Sequence, residues 1–125
     1  MAQIFISYAS ADRERARLLA AAVESKGYSV WWDRQIAPGR RFDEVIEEAL
    51  NAASCVVVLW STTSVKSDWV KTEAAEAASR KLLIPALIDN TRIPLEFRRL
   101  QAADLSKWDG ATSDPEFCLR MSADA

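Results

Sequence analysis

The feature that most constrains this chain is an alternation of two periods. Short apolar runs of strand length are separated by segments whose apolar residues recur at helical spacing. Gln3 to Tyr8 reads as a strand, and Asp12 to Ser25 as a helix with its apolar face through Ala16, Leu19, Ala22 and Val23. Gly27 suits the stop that follows. Tyr28 to Trp32 is a second strand, and Pro38-Gly39 marks a turn after it. Phe42, Val45, Ile46, Ala49, Leu50 and Ala53 predict a helix over Arg41 to Ala53. Cys55 to Trp60 is apolar throughout, as a strand buried on both faces must be. A hydroxyl-rich loop, Ser61 to Ser67, leads into an Ala-rich helix, Asp68 to Arg80, with Ser67 as its N-cap. Leu82 to Ile88 is a fourth strand, where Pro85 lacks an amide donor and predicts an edge position or a local break. Arg92 to Leu100 reads as a loop with one helical turn, Ala102 to Leu105 as a fifth strand, and Pro115 to Met121 as a last helix capped by Asp114.

Strands alternating with helices predict an α/β fold with helices on both faces of a parallel sheet. Five strands fit a flavodoxin-like three-layer sandwich of order 2-1-3-4-5, with its site at the C-terminal ends of the strands. The 125 residues suit a single domain spanning 1–125. The last helix is short for covering a sheet edge, which suggests the N-terminal part of a longer protein.

Composition narrows the chemistry. The chain has no histidine, which removes Ser-His-Asp and Cys-His triads and any His-ligated metal site. Sixteen basic and 18 acidic residues give a net charge of -2, so no basic surplus points to nucleic acid. Cys55 and Cys118 read as two reduced thiols, with no activating base or cation beside either. No apolar run reaches the roughly 20 residues of a membrane helix, and Met-Ala-Gln-Ile-Phe at the start is a strand rather than a signal peptide. These readings predict a soluble, cytoplasmic protein.

The common sites of this fold class are missing. A phosphoacceptor receiver needs an acidic pair after the first strand and an aspartate ending the third. Here those strands end in Ser7-Tyr8 and Trp60-Ser61. The first turn, Ser7 to Asp12, has no glycine to admit a pyrophosphate, and no P-loop is present. What remains is a pair on the third long helix. Trp69 and Glu73 stand one turn apart, beside a stripe of Val70, Ala74, Ala77 and Ala78 that would pack on the sheet. A Trp face can stack an aromatic base, and a carboxylate can lie beside it. As a pattern, W-x-x-x-E is weak, and a solvated Glu next to a half-buried Trp is the commoner case. Ser7, Tyr8, Asp33 and the hydroxyls from Ser61 to Ser64 lie at strand ends where they converge on the same edge or serve as loop and cap residues.

Taken together, these segments resemble Toll/interleukin-1 receptor (TIR) domains. Ile4 to Asp12 is similar to the family's first box, and Gly27 to Asp33 followed by Arg34 to Gly39 to its second strand and BB loop. Val56 to Ser61 and Ser67 to Glu73 resemble its third strand and glutamate-bearing helix; Ile84-Pro85 and Leu100-Gln101 its later segments. The compact spacing is similar to prokaryotic members. The resemblance implies cleavage of NAD+ as substrate, with no cofactor and no metal. It implies Glu73 as the catalytic residue, Trp69 as the pocket aromatic, and Ser7, Tyr8, Ala9, Asp33, Ile36 and Gly39 as ligand-facing positions; Ser61 joins the substrate-binding residues because its hydroxyl can donate to phosphate or ribose. Some family enzymes carry a basic residue after the box-one Tyr, where this chain has Ala9. The implied partners are NAD+ and further copies of the chain. Self-association runs through the BB loop, Asp33 to Phe42, and extends to filaments; no nucleic acid or membrane takes part.

The chemistry suits a chain without histidine. The base leaving a nicotinamide-ribose bond is already cationic, so it departs neutral and needs no acid, unlike ordinary glycosides. One carboxylate suffices to stabilise the oxocarbenium-like sugar. Water attack gives ADP-ribose, and attack by the adenine gives a cyclic isomer. The expected function is an NAD+ glycohydrolase or cyclase, activated by self-assembly, in bacterial defence or toxicity. The alternative is a non-catalytic TIR interaction module, since a fold does not guarantee a chemistry.

Overall fold

A computed structural model describes residues 3–32, 39, 42–97 and 102–105. The elements are β1 (Gln3–Ser7), α1 (Arg13–Glu24), β2 (Ser29–Trp31), α2 (Phe42–Ala52), β3 (Cys55–Trp60), α3 (Asp68–Ser79), β4 (Leu83–Leu87) and β5 (Ala103–Asp104). The sheet order is β2-β1-β3-β4-β5, with every neighbouring pair parallel. Four strands form its body. β5 is a two-residue ladder that pairs Ala103 with Ala86 and Asp104 with Leu87.

Strand order decides which face each helix covers. From β1 the chain steps outward to β2, then reverses direction to reach β3 and β4. Right-handed crossovers therefore put α1 on one face and α2 and α3 on the other. Side chains of β3 alternate accordingly. Cys55, Val57 and Leu59 join Ile4, Ile6 and Leu19 in the core under α1. Val56, Val58 and Trp60 join Phe5, Ile46 and Val70 under α2 and α3. All six residues of β3 are buried. Each such Val or Leu contributes about 1.5–3 kcal/mol of apolar burial, which makes β3 the spine of the domain. On the α2 side Phe5 stacks on Trp31, ring centroids 4.9 Å apart. Tyr8 meets Trp32 on the other side at 6.4 Å. The adjacent tryptophans thus serve opposite faces, as strand alternation requires.

Local chemistry explains the boundaries. Gly27 sits at φ +95°, a conformation that favours glycine, and ends the turn after α1. Ser67 caps α3 by accepting from the Val70 amide at 3.2 Å. Lys81 takes φ +60° after α3, a helix ending made without glycine. Three short 3-10 turns, Ser10–Asp12, Ser64–Lys66 and Leu95–Phe97, lie at the C-terminal edge of the sheet or in the loop beyond β4. Only the last was expected.

Several expectations are corrected. β2 is shorter than Tyr28 to Trp32. Pro85 is not on an edge strand: β4 lies between β3 and β5. The Ile88 amide and the Leu82 carbonyl bond to β3, so even-numbered residues of β4 face β3 and odd-numbered ones face β5. Pro85 therefore turns its missing donor toward β5, whose ladder starts only at Ala86. Ala78 is exposed rather than packed on the sheet. Cys55 is a buried thiol outside any disulfide, as expected. Asp33, Ile36, Cys118 and the helix over Pro115 to Met121 lie outside the described residues. No helix among the described residues is long and apolar enough to cross a membrane.

Candidate active site

Side-chain alternation puts Ser7 on the same face of β1 as Phe5, under α2 and α3. It is the last residue of the strand and is 0% exposed. Facing it, α3 packs on the sheet through Val70, Ala74 and Ala77. Two of those three are alanines, so the helix backbone sits close to the sheet. That closeness carries Glu73 inward with them. Glu73 is 2% exposed, not solvated. The Ser7 hydroxyl donates to Glu73 Oε1 at 2.6 Å across 66 residues of sequence. A hydrogen bond to an ionised group in a buried setting is stronger than a neutral one.

Glu73 is reached from a groove of about 560 Å³ between α2 and α3. Ile46 and Leu50 form one wall, and Trp69, Glu73 and Glu76 the other. Trp69, 40% exposed, stands at the mouth. On its far side Trp69 also borders a second cavity of about 440 Å³, lined by Tyr8, Ala9, Ser10, Thr63, Lys66 and Ser67. The structure therefore brings Ser7, Trp69 and Glu73 together, and places Tyr8 at the neighbouring cavity. Gly39 has φ +88°, a turn conformation that favours glycine.

Ser61 is placed differently. It is 2% exposed, donates to Asp12 Oδ2 at 2.5 Å and accepts from the Ser64 amide at 3.0 Å. It does not line either cavity. It belongs to a network that ties the turn after β1 to the loops after β3 and β4. The Thr62 amide and hydroxyl both donate to Asp89 Oδ2, at 2.9 and 3.1 Å. Asp89 Oδ1 is buried with no hydrogen-bond donor among the described residues. The sequence reading singled out neither Asp12 nor Asp89 for this role. Their position in the turns after the strands was visible, but the contact of Asp12 with Ser61 across 49 residues was not.

Burial holds the Asp12 carboxyl above its ordinary 3.8; the Ser61 hydroxyl opposes this, the Asp89 charge adds to it, and Arg15 opposes it. Folded Asp12 thus keeps its proton to higher pH than the unfolded chain does. Between the two pKa values the folded state binds more protons, so raising pH favours unfolding until both states are ionised. We expect Asp12 to contribute a fall in urea stability as pH rises from the ordinary aspartate range through the raised value. In Asp12→Asn, which can still accept from Ser61, that contribution should be missing from the slope. Equal slopes in both proteins would refute the assignment.

Comparison with known proteins identifies the family. The profile of the TIR domain family matches residues 4–117. A stimulator of interferon genes protein from Magallana gigas is 30% identical over 97 residues, 71% of this chain. The match spans only 23% of that relative's length. The TIR domain of the Toll-related receptor TRR-2 from Hydra magnipapillata superposes with a TM-score of 0.83 at 23% identity, over 99% of this chain and 98% of that one. A TIR-STING receptor from C. gigas, solved in complex with 2',3'-cGAMP, gives 0.70 at 29% identity over 82% of this chain and 34% of that one. With the family profile covering nearly the whole described fold, the chain belongs to the TIR domain family.

Proposed function

We propose that this TIR domain cleaves the nicotinamide-ribose bond of NAD+, releasing nicotinamide and either ADP-ribose or a cyclic isomer. One observation carries the reading: a buried carboxylate, Glu73, that accepts from Ser7 and lines a groove edged by Trp69. In the reaction the C1′–N bond breaks and its electron pair returns to the pyridinium ring, which leaves as neutral nicotinamide. The sugar carbon becomes cationic, and Glu73 stabilises that charge. In hydrolysis a water oxygen bonds to C1′ and its proton is released to solvent. In cyclisation a nitrogen of the adenine forms that bond instead. Trp69 packs the bound base and limits water access.

The groove is open along its length between α2 and α3, which suits a site completed by a neighbouring copy. In this reading the segment Asp33 to Phe42 makes the contact. A head-to-tail contact of that kind repeats into a filament. The reading takes assembly as the trigger and places the activity in defence or toxicity. The depth of Glu73 also suits a second reading. A non-catalytic interaction module could use the same hydrogen bond simply to fasten α3 to β1.

The deciding measurement mixes NAD+ with the protein from nanomolar to high micromolar concentration, with and without a crowding agent, and follows nicotinamide by chromatography. The enzyme reading expects release that grows faster than protein concentration. Strict proportionality would remove the assembly requirement. No release at the highest concentration with crowding would leave the interaction module.

A further inference from the structure

The two cavities that meet at Trp69 have opposite electrostatic character. Among the described residues, the α2–α3 groove carries Glu47, Glu73 and Glu76, and its cation, Arg80, is already paired with Glu76 at 2.6 Å. Among the described residues, the second cavity carries one Lys or Arg side chain, Lys66, and no carboxylate. Around it stand the hydroxyls of Ser10, Thr63 and Ser67. Ser67 accepts from the Val70 amide, which leaves its own O–H able to donate. Lys66 makes no ion pair among the described residues, whereas Lys71 is paired with Asp68 at 3.7 Å. The turn after β1 lines the cavity with Tyr8, Ala9 and Ser10, while its Asp12 is bonded to Ser61 and lies outside the lining.

We infer that this second cavity is a phosphoryl subsite, with Lys66 as its cation and the determinant of substrate choice. The inference rests on the NAD+ reading above. A dinucleotide has a cationic ring at one end and a doubly negative diphosphate further along. The acidic groove attracts the first and repels the second, while an unpaired ammonium among hydroxyls attracts phosphate as a point charge. Charge thus fixes the direction of binding. The pyridinium enters the groove beside Glu73, and the chain crosses Trp69 so that the diphosphate rests at Lys66. Remote binding of this kind improves the placing of the reacting bond.

Nicotinamide riboside has the same scissile bond and no phosphate, so it separates the two cavities. Lys66→Ala and Lys66→Glu should lower the ratio of kcat/KM for NAD+ to that for the riboside, by at least about 10-fold for the charge reversal. Lys66→Arg should keep most of the ratio. The wild-type KM for NAD+ should rise with salt, and that dependence should flatten in Lys66→Ala. An unchanged ratio, or a ratio lost equally in Lys66→Arg, would overturn the subsite. If the wild type releases nicotinamide from neither compound, the NAD+ reading fails, and calorimetry with ADP then decides the subsite alone. Binding abolished by Lys66→Glu upholds it; binding unaffected by the reversal, or absent from wild type, overturns it.

Discussion

Glu73→Gln should reduce nicotinamide release by about 100- to 1,000-fold, the effect of removing one preorganised charge from a developing ion. The same variant should melt at the wild-type temperature or above it. Gln has the shape of Glu and still presents an oxygen to the Ser7 hydroxyl. Burying a carboxylate at 2% exposure is costly, and the neutral amide removes that cost. Activity and stability should therefore move in opposite directions, as at sites kept for function rather than folding. Chromatographic rates and thermal melts on the same preparations test this. If Glu73 only fastened α3 to β1, Gln would leave whatever release is seen untouched.

Ser7→Ala should lower kcat about 10-fold or more and leave KM for NAD+ within twofold. It should also lower stability by about 1–3 kcal/mol, the usual cost of removing one partner from a buried polar pair. The reasoning is positional. Ser7 is wholly buried and lines neither cavity, so it can act on substrate only through the orientation of Glu73. A double-mutant cycle with Glu73→Gln isolates the interaction. The stability cost of Ser7→Ala should shrink in the Gln background, where the partner is no longer charged. A rise in KM with kcat unchanged would return Ser7 to the substrate-contacting role its place in the first box implied.

The candidate site was half legible. Helical spacing put Trp69 and Glu73 on one side of the same helix, a relation that survives any tertiary arrangement; their reading as a site came only from the resemblance to TIR domains. Their exposures were not found. Spacing gives the angle of Glu73 around α3 but not how deeply the helix sits. That depth follows from Ala74 and Ala77, which let α3 approach β1 and β3. Lys66 escaped notice for a related reason: a lysine in a hydroxyl-rich loop has no pattern of its own. It matters only because the loop turns it toward a cavity bounded by Ala9 and Trp69.

What the amino-acid sequence determined by itself is the succession of elements, the caps at Ser67 and Gly27, and the split of the core between two faces. These depend on local rules: hydrophobic period, backbone conformation and the handedness of crossovers. Only the tertiary structure decided that Ser7 meets Glu73, that Ser61 is bound to Asp12 rather than open to a ligand, and that Pro85 survives inside the sheet. Each of these joins segments far apart in the chain. Their meeting is set by how closely helices and loops pack on the strands, a distance that sequence periodicity does not encode.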